Sequence, residues 1–103
     1  MAVIVVATFR FESASRDAAL EAFETCVAEV HANEAGCELY SMNEGRDRVV
    51  MIEKWESMDA LRAHGAGQAF KALTDALVGK LVGEPDVQIL RPHPAGSASL
   101  GLL

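Results

Sequence analysis

Apolar and polar positions follow two different periods along this chain. Residues 3–11 are mostly β-branched, aromatic or small and apolar, which predicts a first β-strand. The next stretch predicts an α-helix, because its apolar residues recur at steps of three and four. These residues are Leu20, Phe23, Val27 and Val30. Ser13 and Ser15 are candidate N-caps of this helix, and Gly36 is a candidate C-cap residue.

The second half of the chain predicts three more strands and two more helices. Residues 37–43 and 49–56 predict strands on either side of a glycine-containing turn. Ser57 is a suitable N-cap for a short helix that reaches His64. A further helix is predicted from Phe70, Leu73, Leu77 and Leu81, which share one apolar face. Residues 87–91 predict the last strand.

The resulting β-α-β-β-α-β order favours an α+β, ferredoxin-like fold with a four-stranded antiparallel sheet and both helices on one face. Residues 1–92 would form this domain and residues 93–103 a C-terminal tail. The first strand is apolar on both faces, with Val5 on one and Ile4 and Val6 on the other. Because the helices cover only one face, we expect a homodimer whose sheets pack face to face.

Composition narrows the functional classes. The 103 residues suffice for one domain, and the net charge of −6 disfavours nucleic acid and anionic membrane surfaces as partners. The two cysteines, Cys26 and Cys37, form no C-x-x-C pair, and the apolar N-terminal stretch has no basic segment before it. We therefore expect a cytoplasmic protein with reduced thiols.

Several short motifs occur together in order. "EAGCELYSM" is followed by "VVMIEKWESMDALRAH", and Phe70 comes six residues after His64. This combination resembles the antibiotic biosynthesis monooxygenase family, and the likeness extends over roughly residues 3–91. The resemblance implies a small dimeric α+β barrel. It also implies that phenols, quinols or polyketide anthrones are oxygenated without metal or flavin, although some relatives degrade haem and others isomerise or break down small signalling molecules.

The resemblance does not favour haem chemistry for this chain. The haem-degrading relatives carry asparagine, tryptophan and histidine at the positions that match Thr8, His64 and Thr74. A metal site is also not expected, because His31 and Glu34 are suitably spaced on a helix but have no third ligand nearby in the pattern. We therefore predict that the protein uses no cofactor.

His64 is the candidate catalytic residue. The resemblance places it near the mouth of a pocket between helices and sheet, where an imidazole could act as a base toward a phenolic oxygen. Alternatively, it is a helix-terminal histidine that caps carbonyl groups. In either case its truncation should leave no large void.

Five further residues are candidates for the substrate pocket: Thr8, Tyr40, Glu53, Trp55 and Phe70. Trp55 could be a flat wall for an aromatic substrate, but core packing is favoured. Glu53 shares a strand face with Trp55. For Glu53, an ion pair with an arginine across the dimer is favoured over an acid–base role. Thr8, Tyr40 and Phe70 are each also explained as ordinary strand or packing residues.

The predicted function is cofactor-independent oxidation of a small phenol, quinol or anthrone by O₂. Two alternatives remain open. One is an isomerase or lyase that acts on a small hydroxycarbonyl metabolite with the same base. The other is a non-catalytic dimer that binds a small aromatic or apolar molecule.

Overall fold

The computed structural model describes residues 2–103, which form one sheet with its three longer helices on one side. Its strands are β1 (Val3–Arg10), β2 (Cys37–Glu44), β3 (Arg48–Trp55) and β4 (Asp86–Leu90). Its helices are α1 (Arg16–Asn33), α2 (Met58–Gly65), α3 (Gln68–Leu77) and a short α4 (Ala98–Gly101). A 3-10 turn at Ser13–Ser15 precedes α1.

The sheet has the strand order β2-β3-β1-β4, and each neighbouring pair is antiparallel. This order confirms the predicted ferredoxin-like architecture. Strand β1 is central, and Val5 pairs with Glu53 on β3 and with Ile89 on β4. The pairing fixes which side chains share a face, because successive residues of a strand point to opposite sides.

The core lies between the sheet and the helices. Along β3 every second residue is buried, from Val49 to Trp55, which is the period expected of a strand covered on one face. Helix α1 closes the core with Phe23 and Val30, neither of which is exposed to solvent. The ring of Phe23 meets that of Phe9 on β1 edge-on, with centroids 5.0 Å apart. These contacts hold α1 across the sheet and leave the β4 side for α3.

Two local predictions differ from the structure. Helix α3 ends at Leu77, because the chain turns through Gly79 at a φ of 75°, a left-handed conformation that suits glycine. Leu81 therefore lies beyond the helix and bridges to Phe11. Gly36 is not the C-cap residue of α1, since Glu34 occupies that position. Ser15 occupies the N-cap position of α1 as predicted, but its side chain makes no capping bond. Ser57 Oγ, the N-cap of α2, accepts from the Ala60 amide as predicted.

The second face of the sheet carries no helix of the core. Ile4 on this face is 6% exposed, while Val6 and Ile52 are half-buried. At one end the tail contributes Leu102 and Leu103 to a groove that Leu90 also lines. The tail contains the short helix α4 rather than being irregular throughout. No helix among residues 2–103 is both long and apolar enough to span a membrane.

Candidate active site

A cavity of about 470 Å³ lies between the helix-facing side of the sheet and helices α2 and α3. Its walls are largely apolar; they include Val5, Ala7, Phe9, Leu61, Phe70, Leu77, Leu81 and Val87. Its polar side chains are Tyr40, Glu53, His64, Thr74 and Glu84. A cavity of this size with few polar groups is typical of a small-molecule site.

His64 lies at the penultimate position of α2 and is 5% exposed. Its Nδ1 lies 2.7 Å from Oε1 of Glu34, the residue that follows α1. A carboxylate oxygen accepts hydrogen bonds, so Nδ1 carries the proton and donates it to Glu34. The bond fixes the imidazole tautomer and leaves the lone pair on Nε2.

The Nε2 atom of His64 is left free. Within residues 2–103 no side-chain or main-chain group forms a hydrogen bond with it. Every fully buried side-chain nitrogen or oxygen in the same residues does have a partner. An unbonded Nε2 must therefore be accessible, and His64 lines the cavity. An imidazole with Nδ1 bonded to a carboxylate and Nε2 free is the arrangement of a general base.

Three aromatic rings hold the His64 ring in place. The Trp55 ring is nearest, with a centroid distance of 4.6 Å and an interplanar angle of 30°. Tyr40 and Phe70 contact it at centroid distances of 5.1 and 5.5 Å. Such packing restricts the ring to one orientation, and it means that His64 is a buried residue rather than an exposed helix end. The expectation that its truncation leaves little void is therefore wrong.

Glu53 is the second ionisable group in the cavity. It is 5% exposed, and its Oε1 accepts a hydrogen bond of 2.9 Å from the indole N–H of Trp55. Burial raises the pKa of the Glu53 carboxyl, while the indole bond and the neighbouring His64 lower it by less. Glu53 points into the cavity, away from the second face of the sheet, so its partner in the described chain is Trp55 and not an arginine.

Tyr40 has its ring in the cavity wall and its hydroxyl within 3.5 Å of Cys26 Sγ. Burial is the main reason that the pKa of the Tyr40 hydroxyl lies above its usual value, so this group stays neutral.

The carbonyl of Tyr40 accepts a bond of 2.9 Å from His31 Nε2. His31 and Glu34, which were considered as a pair of metal ligands, therefore have other hydrogen-bond partners. His31 bonds to the Tyr40 carbonyl on β2, and Glu34 bonds to His64. No three suitable ligand side chains converge anywhere in residues 2–103.

The structure brings together four of the six predicted site residues. His64, Tyr40, Glu53 and Phe70 all line the cavity. Thr8 is not part of it, because Thr8 pairs with Val50 on the opposite face of the sheet, and Ala7 is the β1 residue beside it that lines the cavity.

Trp55 is not a cavity wall, because it is 1% exposed and lies in the core behind His64.

Sequence reasoning missed Glu34 as a site residue. Glu34 opens the "EAGC" motif, but the sequence pattern indicates only a helix end and a possible metal pair with His31, and neither points to His64.

Comparisons with known proteins identify the family. The family model for antibiotic biosynthesis monooxygenase matches residues 2–76. The chain belongs to the antibiotic biosynthesis monooxygenase family. No curated protein matches the chain. Family membership supports a general monooxygenase-like role.

Solved structures agree with the family and the fold. A protein of Caulobacter crescentus CB15, named as a candidate antibiotic biosynthesis monooxygenase, is 32% identical over 86% of this chain and 87% of its own, with a TM-score of 0.82. Rv0793 of Mycobacterium tuberculosis is 22% identical over 94% of this chain and 100% of its own, with a TM-score of 0.85. At this lower identity the likeness to Rv0793 shows the fold alone.

Proposed function

We propose that the protein is a cofactor-independent monooxygenase that oxidises a small phenol, quinol or anthrone with O₂. The observation that carries this proposal is the His64–Glu34 pair, with Nδ1 bonded at 2.7 Å and Nε2 free at the cavity. A base in this position removes the acidic proton of the substrate. The anion that forms is a much better electron donor to O₂ than the neutral molecule.

The cavity supports a neutral, flat, apolar substrate. Its walls are aliphatic and aromatic, and Phe70 lies beside the base. Glu53 and Glu84 are the acidic side chains in the lining, and no lysine or arginine is among them. An anionic substrate would therefore meet no counter-ion. The negative charge that develops during reaction is instead balanced by the His64 imidazolium, which Glu34 in turn stabilises.

The overall reaction balances without any further reductant. A methylene centre R₂CH₂ and O₂ give the ketone R₂C=O and one water. Four electrons leave carbon, and all four are taken by the two oxygen atoms, one of which enters the product. His64 supplies the first step by taking one proton from carbon or from a phenolic oxygen that is conjugated with it.

An isomerase or lyase would use the same base without oxygen, moving a proton next to a carbonyl. The test is to incubate the protein with a panel of hydroquinones and anthrones in an oxygen electrode and to identify the products. The proposal expects one O₂ consumed for each ketone or quinone formed, and no product under argon. Turnover that continues under argon would favour the isomerase, and binding without turnover under either gas would favour a non-catalytic role.

We also propose that the working form is a homodimer in a reducing compartment such as the cytosol, and that no cofactor is needed. Support for the dimer comes from Val6 and Ile52, apolar residues that are only half-buried on the face without core helices. Support for a reducing compartment comes from Cys26 and Cys37, which are both free thiols.

A further inference from the structure

We propose that Glu53 is a second catalytic residue of this site, which gives a proton to the peroxide intermediate and then takes one from carbon as the O–O bond breaks. This inference rests on the proposed oxygenase function. His64 alone can remove the first proton, but the conversion of a peroxide into ketone and water needs three further proton transfers. The His64 imidazolium supplies the last of these, and a second acid–base group that faces the same substrate would supply the other two.

One carboxyl oxygen of Glu53 is free to transfer protons to and from a substrate. Oε1 is held by the Trp55 indole N–H at 2.9 Å. Within residues 2–103, Oε2 has no hydrogen-bond partner. Every fully buried side-chain oxygen in the same residues does have a partner, so Oε2 is not fully buried. Oε2 is therefore accessible, and the cavity is the space that Glu53 lines. Trp55 thus orients the carboxyl in the way that Glu34 orients His64.

The surroundings of Glu53 favour a carboxyl that carries a proton. On the flanking strands it faces Tyr40 on β2 and Val5 on β1, and neither brings a positive charge. Its electrostatic neighbours outside the sheet are His64 on α2 and Glu34 at the end of α1. Burial is the largest influence and raises the pKa of Glu53. When it carries its proton, this carboxyl and the free imidazole nitrogen of His64 give one acid and one base in a single cavity, with their environments setting the roles.

The sequence of steps closes with both residues in their starting states. His64 takes a proton from R₂CH₂, and the carbanion combines with O₂ to give R₂CHOO⁻. Glu53 donates its proton to the terminal oxygen, which gives R₂CHOOH and a carboxylate. The carboxylate then removes the remaining C–H proton. The C–H electron pair forms the C=O bond, and hydroxide leaves from the O–O bond. The His64 imidazolium protonates this hydroxide to water.

The test separates the two proton-transfer stages with anthrone as the probe. Under argon in D₂O, exchange of its methylene hydrogens reports proton removal by His64. In air, ketone and organic hydroperoxide are measured together. Glu53→Gln keeps an oxygen that can accept from Trp55, so the fold should persist. Glu38→Gln is the matched control, because Glu38 is an exposed strand residue outside the cavity.

We expect Glu53→Gln to exchange deuterium at the wild-type rate, to form ketone about 10²–10⁴-fold more slowly and to accumulate hydroperoxide. Glu38→Gln should match the wild type in all three. Ketone formation at the wild-type rate by Glu53→Gln would overturn the inference alone. Deuterium exchange that falls as far as ketone formation would also overturn it, since Glu53 would then serve the first step.

If the wild type consumes no O₂ with any substrate, the proposed function fails and the inference fails with it. A second measurement on the wild type covers the case in which Glu53→Gln does not fold. Ketone formation should fall as pH rises through the pKa of Glu53, while deuterium exchange should not fall. Parallel pH profiles for the two reactions would overturn the inference.

Discussion

At the scale of single residues, the site depends on two hydrogen bonds, each of which orients an ionisable group of the cavity. Glu34 reaches His64 across thirty positions of sequence, and Trp55 reaches Glu53 within one strand. Each bond holds one atom of an ionisable group and leaves the other atom for the cavity. The Glu34–His64 bond cannot be read from residue spacing, because it depends on where the helices lie on the sheet. The spacing of Glu53 and Trp55 shows that they share a strand face, but it does not show that they bond.

The first residue-scale prediction concerns Glu34 as a positioning residue. In Glu34→Gln the amide can turn its NH₂ group toward His64, which favours the tautomer with the lone pair on Nδ1 and the proton on Nε2. We expect kcat to fall, and the largest fall expected is the rate contribution of a general base, about 10²–10⁴-fold. KM should change little, since Glu34 does not line the cavity. A wild-type kcat in this variant would show that Glu34 does not set the tautomer.

The second residue-scale prediction is a pH dependence of stability. A carboxyl whose pKa is raised in the folded state binds its proton more tightly there than in the unfolded state. Its contribution to stability is therefore complete below the ordinary pKa of 4.5 and is lost as pH rises through the folded value. The neutral form of Glu53 thus suits the folded protein better than the charged form.

Glu53→Gln removes this titration, so its melting temperature should exceed that of the wild type at pH 7 and approach it below pH 4.5. Calorimetric melting from pH 4 to 8 measures the difference, with the exposed Glu38→Gln as control. A constant difference at all pH values would show that burial does not raise the pKa of Glu53.

At the scale of elements, hydrophobic period predicted β3 and α1 well, because each of them buries one regular face. It failed where a backbone turn overrode the pattern. Leu81 continues the spacing of Leu73 and Leu77, yet Gly79 turns the chain first. The same pattern could not show that Gly36 serves packing, since that depends on the approach of α2.

Gly36 should tolerate no side chain, which is the element-scale prediction. A Cβ at this position would lie 2.5 Å from Ala60 Cβ on α2, whereas a Cβ at Gly65 would meet nothing within 4 Å. Gly36→Ala must push α2 away and should cost about 1–3 kcal/mol, the usual range for overpacking. Gly65→Ala should be neutral or stabilising, because alanine favours a helix. Chemical denaturation of both variants checks this, and equal stabilities would contradict the close approach.

At the scale of the whole molecule, one face of the sheet is covered by helices and the other carries half-buried apolar residues. Charged side chains on that second face should break the proposed dimer. Ile52→Asp would place a carboxylate opposite Val6 at the centre of the face. We expect sedimentation to give a monomer for Ile52→Asp and a dimer for the wild type at micromolar concentration. Met58→Asp, a similar change at an exposed apolar residue of α2, should stay dimeric. A monomeric wild type would contradict the proposal.

The reaction of the whole molecule depends on His64 as the base, and one variant tests this most directly. In His64→Asn the amide N–H can still donate to Glu34, which limits the structural loss that His64→Ala would bring, while no basic nitrogen faces the cavity. His31→Asn is the matched control, because the His31 ring bonds to the Tyr40 carbonyl outside the cavity. O₂ uptake with anthrones and hydroquinones should fall about 10²–10⁴-fold in His64→Asn at a similar melting temperature. It should be unchanged in His31→Asn. Wild-type O₂ uptake by folded His64→Asn would contradict the assignment of His64 as the base.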